Sequence, residues 1–517
     1  MKDSMKMRLK FCATGFMLLI TSISMAVLKP AGLFGDSMVL QRGTNVPVWG
    51  SADAGAVVEV SIGGQVKRQK ADEGGGWKLN LSAVAAGGPY EMKIASGAES
   101  VVFKDVYFGE VWLCSGQSNM DMTVAKEDRY WCGVDNEAEE VAAANYPLIR
   151  VFDVPFGTSD EPVEDVESKW EVCSPRTVGH FSAAAYFFAR DLQEKIRVPI
   201  GLITTAYGAS TAEAWTSRKA LAAVDDFAFI LDAYNRGCEY FDSGEAEKDY
   251  RAKYKQWQAM MIHFKGTIPP KAPKEPDNPH EDQHSPSVLY NAMVHPLVPY
   301  AIKGAIWYQG ESNVPTKHVY AKLMETLIAD WRSAWGIGDF PFLYVQLAAY
   351  KKPSDEPAPG SDFTDIRDAQ LSNLSIPNTA MTVAIDIGDA ENVHPKNKQE
   401  IGRRLSIQAR ALAYGEDIVC MGPIFDRMEV MPRRLRLYFK NAETGLRSRS
   451  ARLDGFAVAG ADGVYHEAIA RIDGDSVIVG SHDVPEPLNA RYAWSSNPAT
   501  ASLYNAEGLP ASPFKTD

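Results

Sequence analysis

Positive charge is the first thing this sequence is short of. Its 517 residues carry 53 Lys and Arg against 66 Asp and Glu, a formal net charge of −13. Nucleic-acid binders draw affinity from basic patches that meet phosphate, and anionic membranes attract polybasic segments. The balance argues against both as partners. Cysteine is scarce as well: six in all, with no CxxC pair and no Cys/His cluster at zinc-ligand spacing. No structural metal and no cofactor are expected. Leaving out Cys12 of the N-terminal segment, five cysteines remain, so at least one thiol is unpaired or pairs between chains. Cys132 and Cys173 could bridge in an oxidising compartment. Glycine (40) and proline (30) stay near background, which excludes a fibrous or broadly disordered chain. There is no internal repeat, and beyond the N-terminus no apolar run approaches the ~20 residues of a membrane span. These absences leave a large acidic chain of two to four domains, an enzyme or a glycan-binding assembly.

What is present begins with an address. Lys2, Lys6, Arg8 and Lys10 precede an apolar stretch from Phe11 to Ala26, with small residues at Ser24 and Ala26. This reads as a secretory signal peptide over residues 1–26, and hence a periplasmic or secreted protein.

Three rhythms follow. Residues 27–105 hold short alternating runs (Val46–Gly50, Val57–Ile62, Trp77–Leu81) separated by Gly63-Gly64, Gly74-Gly75-Gly76 and Gly87-Gly88-Pro89. That spacing predicts a small antiparallel, sandwich-like β domain. Residues 106–415 alternate short apolar strands with amphipathic helices, the pattern of a parallel sheet covered on both faces. Tyr320, Leu323, Met324, Leu327 and Ile328 trace one helical stripe, and Ala185, Phe188, Ala189, Leu192 and Ile196 another. A helical insertion with a Pro/His/Asp-rich loop occupies about 225–285. Residues 416–517 return to strands and form a C-terminal β-rich region.

Parallel α/β sheets bind ligands beyond the C-terminal ends of their strands. Val111–Cys114 leads into Gln117-Ser118-Asn119, and Pro199–Ile203 leads towards Gly208. Gly304–Tyr308 leads into Gln309-Gly310-Glu311-Ser312-Asn313, and Phe342–Val345 reaches Gln346. Met381–Ile385 reaches Asp386 and then Glu391-Asn392-Val393-His394. A serine hydroxyl needs a neighbouring base before it attacks. Ser118 sits in a tight turn at a helix start, where backbone N–H groups favour developing negative charge; the same position suits a helix N-cap. It is not the G-x-S-x-G elbow, because position 120 is Met. His394 is the candidate base. Glu391 is the candidate acid for its ring, with Asp386 and Asp389 as rivals. Gly208, Gln309 and Asn313 are candidate oxyanion donors.

With those residues named, the chain resembles the sialate O-acetylesterase family within the SGNH-type hydrolases. The blocks Gly109–Met120 and Ala305–Asn313 carry the likeness most specifically. Val198–Ile203, Ala214–Ser217, Leu289–Met293, Asp330–Arg332, Val393–Lys398 and Pro510–Phe514 support it. The resemblance implies an α/β fold: an SGNH-like three-layer α/β/α domain with a parallel sheet. It also implies a Ser/His esterase that frees O-acetyl groups from sugars, with Ser118 as nucleophile and His394 as base. Two departures from the broader pattern leave choices open. Gly310-Glu311-Ser312-Asn313 replaces Gly-x-Asn-Asp, so either Gln309 or Asn313 is the amide donor. Glu391 replaces Asp, so the site is a triad or a Ser/His dyad oriented by a backbone carbonyl.

Gln117, Glu311, Trp307, Trp215 and Arg367 are candidate substrate contacts. Tyr207 and Tyr308 join the tryptophans as sugar-stacking surfaces, and Arg367 is placed against a sialic-acid carboxylate or in a salt bridge with Asp365. Acetylated sialic acid is the expected substrate, acetyl-xylan or another hemicellulose the alternative, and a non-catalytic glycan-binding protein the reading from another class. Activity is expected to fall as His394 protonates near its ordinary pKa of about 6.5.

Overall fold

Val111–Cys114 is apolar, too short for a helix and flanked by glycines. It forms the end of one long strand, β1 (Glu99–Gly116), in the computed structural model, which describes residues 28–517. The expected signal segment lies outside the described residues. The strands that flank β1 are β2 (Ile149–Asp153), β3 (Trp170–Val172), β4 (Ile200–Ala206), β5 (Gly304–Tyr308), β6 (Phe342–Val345) and β7 (Thr379–Thr382). Their order is β3-β2-β4-β1-β5-β6-β7. All neighbours are parallel except β3, which runs antiparallel to β2. The sheet is therefore mixed at one edge rather than wholly parallel.

Register sets the site. Gly116 lies opposite Ala206 on β4 and Tyr308 on β5, so the loops after three adjacent strands leave the sheet at one level. The chain places β2, β3 and β4 on one side of β1 and then crosses to build β5, β6 and β7 outward on the other, and such a reversal is where α/β sheets hold ligands. Gly116 has φ +145, and a Cβ there would collide with the Tyr308 carbonyl oxygen. Only glycine lets β1 end beside β5 and turn at once into Gln117 and Ser118.

Helices cover both faces. Alternation along β1 sends Val111 and Leu113 to one face and Trp112 and Cys114 to the other. On the second face lie α2 (Ala183–Ile196) and α7 (Lys398–Tyr414). Both are capped: Ser182 and Asn397 accept from helix-start N–H groups, and Gly415 ends α7 at φ +69. The first face holds α5 (Lys317–Trp335), whose stripe buries Leu323, Leu327 and Trp331, and α6 (Asp362–Ser372). The insertion supplies α3 (Ala228–Asp242) and α4 (Glu245–Ile262).

The flanks are built onto this body. Residues 29–96 give a three-stranded sheet and strands that continue the β1 sheet. Val46, Val48, Leu79 and Leu81 from one, and Val58, Val60 and Ile62 from the other, share one core. The expected boundary at 105/106 falls inside β1, which serves both regions. After 415 the chain forms two four-stranded sheets and one two-stranded ribbon, and their buried residues join the same core. Cys132 and Cys173, raised above as a bridge, are buried free thiols, as is Cys114.

The contact of α2 with α7 depends on Gly402, where a Cβ would run into the backbone of Phe187 and Phe188. Gly402→Val is expected to cost about 1–3 kcal/mol by overpacking, read as a lower midpoint in urea unfolding.

Candidate active site

Ser118 opens the one-turn helix α1 (Ser118–Asp121), held by Gly116 at its start and by Met120 and Met122 in the core beneath it. The N-cap of that turn is Gln117, so the serine hydroxyl is not spent on capping. It points to His394, with Ser118 Oγ 2.7 Å from His394 Nε2. Both residues are almost buried, 7% and 6% exposed.

The other ring nitrogen decides the tautomer. Asn392 Oδ1 accepts the His394 backbone N–H at 3.0 Å and lies 3.2 Å from Nδ1. The backbone donor fixes the amide with its oxygen toward the ring, so Nδ1 carries the proton and Nε2 is left to accept from Ser118. The orienting group is therefore neutral. Glu391, expected in that role, is exposed, and its backbone N–H donates to Asp389. Asp386 is bound bidentately by Arg404 and also accepts from Tyr504.

Burial, and then the charge of Lys398, push the His394 pKa down to about 4. Lys398 is itself wholly buried. Its Nζ donates to the Pro395 carbonyl at 2.6 Å and to Asn119 Oδ1 at 2.8 Å, and it lies 5.4 Å from the centre of the Tyr308 ring. Asn119 Nδ2 in turn donates to Glu311 Oε1 at 2.6 Å and to the Val393 carbonyl at 3.1 Å. Burial pushes Lys398 down to about 7, opposed chiefly by Glu311, whose carboxyl is pushed up by burial. One buried relay thus joins the nucleophile turn, the loop after β5 and the histidine loop.

Gly208 lies beside Ser118: a Cβ placed there would be 3.8 Å from Ser118 Cβ, with Trp131 and Asp121 Oδ2 each at 3.7 Å. The backbone N–H groups of Ser118 and Gly208 donate to no other group among the described residues. Gln309 and Asn313 do not join them. Gln309 Nε2 donates to Ser210 O and Asn313 Oδ1, and Asn313 Nδ2 to Glu213 and Thr316. Both amides are fully buried and already committed.

The expected substrate contacts are also redistributed. Gln117 Oε1 accepts from the N–H groups of Gly310 and Ser312 and so pins the loop after β5. Glu311 holds Asn119, and its second oxygen is buried without a partner. Trp307, Trp215 and Tyr308 are wholly buried; Trp307 meets Trp215 and Trp331 edge-on beneath the sheet. Arg367 is completely buried in α6 and donates to the carbonyls of Leu347, Ala348, Ser495 and Ser496. It ties the C-terminal region to the sheet rather than meeting a carboxylate, and Asp365 pairs with Lys317 instead.

Four neighbours escaped the sequence reading. Trp131 stacks on His394, ring centres 5.2 Å apart at 24°, and Arg129 lies 4.6 Å over Trp131. Asn119 and Asn392 lie inside or beside motifs already singled out, so their positions were visible but not their bonds. The loop carrying Trp131 has no periodicity to mark it. Among the described residues no group of three or more His, Cys, Asp or Glu could hold a metal, and no helix is long and apolar enough to cross a membrane.

Residues 280–410 match the family described as carbohydrate esterase, sialic acid-specific acetylesterase. The chain is 32% identical over 447 residues to the sialate O-acetylesterase of Rattus norvegicus, covering 78% of this chain and 77% of the relative. It is 31% identical over 440 residues to that of Homo sapiens, covering 78% and 75%. A crystal structure of a carbohydrate acetylesterase from Xanthomonas citri superposes with a TM-score of 0.80 at 35% identity, over 95% of this chain and 99% of that one.

Two measurements follow from the electrostatics. The acid limb of kcat/KM on an aryl acetate should have its midpoint near pH 4, the value to which burial and Lys398 lower His394, because the neutral base persists above it. A midpoint near 6.5 would contradict that environment. Lys398→Met should raise this midpoint toward the ordinary value of about 6.5 and cost about 1–3 kcal/mol of stability by leaving Asn119 Oδ1 and the Pro395 carbonyl without their donor.

Proposed function

The chain belongs to the sialate O-acetylesterase family of carbohydrate esterases and is a carboxylic ester hydrolase, and we propose that it removes O-acetyl groups from sugars through Ser118 and His394. The 2.7 Å contact between Ser118 Oγ and His394 Nε2 carries this reading. His394 takes the hydroxyl proton as Ser118 attacks the acetyl carbonyl. The backbone N–H groups of Ser118 and Gly208 hold the oxygen that becomes negative. The imidazolium gives its proton to the departing sugar oxygen, and water then cleaves the acetyl-serine with the same histidine as base. Asn392 keeps the ring in the reactive tautomer, making the site a Ser/His pair oriented by an amide. Lys398 disfavours the imidazolium and so favours handing that proton on.

O-acetylated sialic acid is the proposed substrate, supported by the names of the relatives. The second reading, an acetylated neutral glycan such as xylan, is favoured by one observation: the arginine assigned to a sialic-acid carboxylate is buried in backbone contacts. We take the body around β1 to be an SGNH-type three-layer domain (residues 106–415) between β-rich flanks (27–105 and 416–517). The structural likeness to the Xanthomonas citri enzyme supports that division. Export to the periplasm or beyond is proposed from the basic and apolar N-terminal segment.

Ser118→Ala and His394→Ala should each lower kcat on an aryl acetate by about 10⁴-fold while leaving the urea midpoint in place. Full turnover by Ser118→Ala would end the mechanism. Acetate release from O-acetylated sialic acid and from acetylated xylan, measured on one preparation, decides the substrate. Release from xylan alone would reject the sialate assignment.

A further inference from the structure

A cleft of about 520 Å³ opens beside the nucleophile turn, lined by Asp121, Arg129, Asp153, Phe156, His180 and Thr204 among others. Its volume lies within the ~300–1,000 Å³ of small-molecule sites. None of these residues takes part in the chemistry described above. Their place is set by the same turn: Asp121 is the last residue of α1, three after Ser118. A Cβ on Gly208 would lie 3.8 Å from Ser118 Cβ and 3.7 Å from Asp121 Oδ2, so the serine and the carboxylate flank the same glycine.

The walls are chemically mixed. Arg129 Nη1 donates to Asp121 at 2.6 Å, and its other nitrogens grip Glu127 at 2.8 and 3.0 Å. Thr204 donates to Asp153, and His180 is paired with Glu171. Burial, with a smaller push from Asp153, raises the Asp121 carboxyl to about 6 against the pull of Arg129. Two carboxylates therefore line one cleft, each held by one partner, Asp121 by Arg129 and Asp153 by Thr204. Phe156 is 59% exposed at the edge and packs on Tyr207 at 5.0 Å, an apolar plate next to a polar pocket. A sugar ring is built the same way, with C–H groups on its face and hydroxyls at its rim.

We propose that this cleft is the subsite for the leaving sugar, with the Asp121–Arg129 pair reading hydroxyls adjacent to the acetylated one and Phe156 supporting the ring face. The proposal rests on the esterase reading above and adds where the sugar sits. The ligand class is the uncharged, hydroxyl-bearing part of a sugar. With Asp121, Glu127, Asp128 and Asp153 around a single arginine already held by two of them, a substrate carboxylate is repelled from this cleft and points outward. The acetyl group reaches Ser118 while the hydroxyl oxygen it leaves behind stays on the Asp121 side.

The test uses three variants of the full chain, Arg129→Met, Asp121→Asn and Phe156→Ala. Each is assayed on 4-nitrophenyl acetate, an acetylated xylo-oligosaccharide and O-acetylated sialic acid. Phe156 is exposed enough that its truncation leaves the fold in place. The expected result is that the ratio of kcat/KM on a sugar ester to that on the aryl ester falls about tenfold or more. This is the scale of losing one hydrogen bond to a charged group, and it should show mainly as a raised KM. Whichever sugar ester the parent hydrolyses should show it; where it hydrolyses both, both should. An unchanged ratio in all three variants would overturn the proposal. So would a loss confined to the sialic-acid ester in Arg129→Met, which would make Arg129 a carboxylate receptor. Ser118→Ala in the same assays separates this outcome from failure of the esterase reading, because it abolishes turnover of every ester only if that reading holds.

Discussion

A single buried ammonium holds the arrangement together. Lys398 reaches the Pro395 carbonyl and, through Asn119, both Glu311 and the Val393 carbonyl. Burying a charged group away from water is costly unless it is paired and hydrogen-bonded. The relay of Lys398, Asn119 and Glu311 therefore holds only if three loops arrive together: the turn after β1, the loop after β5 and the histidine loop before α7. These are the loops that bring Ser118 to His394. The contact between serine and histidine follows from satisfying the charge that lies behind it, and burial, with that charge adding to it, keeps the histidine neutral.

The sheet supplies the precision that the relay requires. Gly116, Ala206 and Tyr308 are in register across three parallel strands. Beyond them the chain must turn at once, and Gly116 permits it. Gln117 then clamps the backbone of Gly310 and Ser312. Amides that a motif-based reading would aim at substrate are spent on this scaffold, which leaves the backbone N–H groups of Ser118 and Gly208 as the donors proposed for the reacting oxygen. Backbone donors on a sheet edge are held more rigidly than amide side chains and need no reorganisation as charge develops.

The flanking β regions are part of the same body. β1 runs from the N-terminal sheet into the centre of the catalytic sheet without a break. The C-terminal region is stitched on by Arg367 through Ser495 and Ser496, by Gln346 through Ser512 and by Asp386 through Tyr504. An arginine with its donors satisfied by carbonyls on both sides of a junction fixes the angle between two regions. That is a structural duty, and a residue engaged in it is not available to a ligand.

Much was legible before any coordinates. The strand and helix series could be read because side-chain periodicity is local: Val111–Cys114 lies in a strand and the stripe from Tyr320 to Ile328 in a helix, although β1 begins at Glu99 and α5 runs on to Trp335. Ser118 and His394 could be named because a nucleophile turn and a histidine before a helix each carry short-range signatures. Glu391 could not be ruled out, nor Asn392 chosen, because one residue of loop geometry decides which side chain faces Nδ1. Arg367, Trp215 and Trp307 read as candidate ligand contacts because burial is a property of the assembled chain. Trp131, Arg129 and Lys398 acquire their roles only through contacts with distant segments. The sequence by itself determined the elements, their order along the chain and the candidate pair Ser118 and His394, since those depend on neighbours along the chain. Tertiary structure alone decided which polar groups remained unpaired at the site, because hydrogen bonds and desolvation are settled by what packs against each group in space.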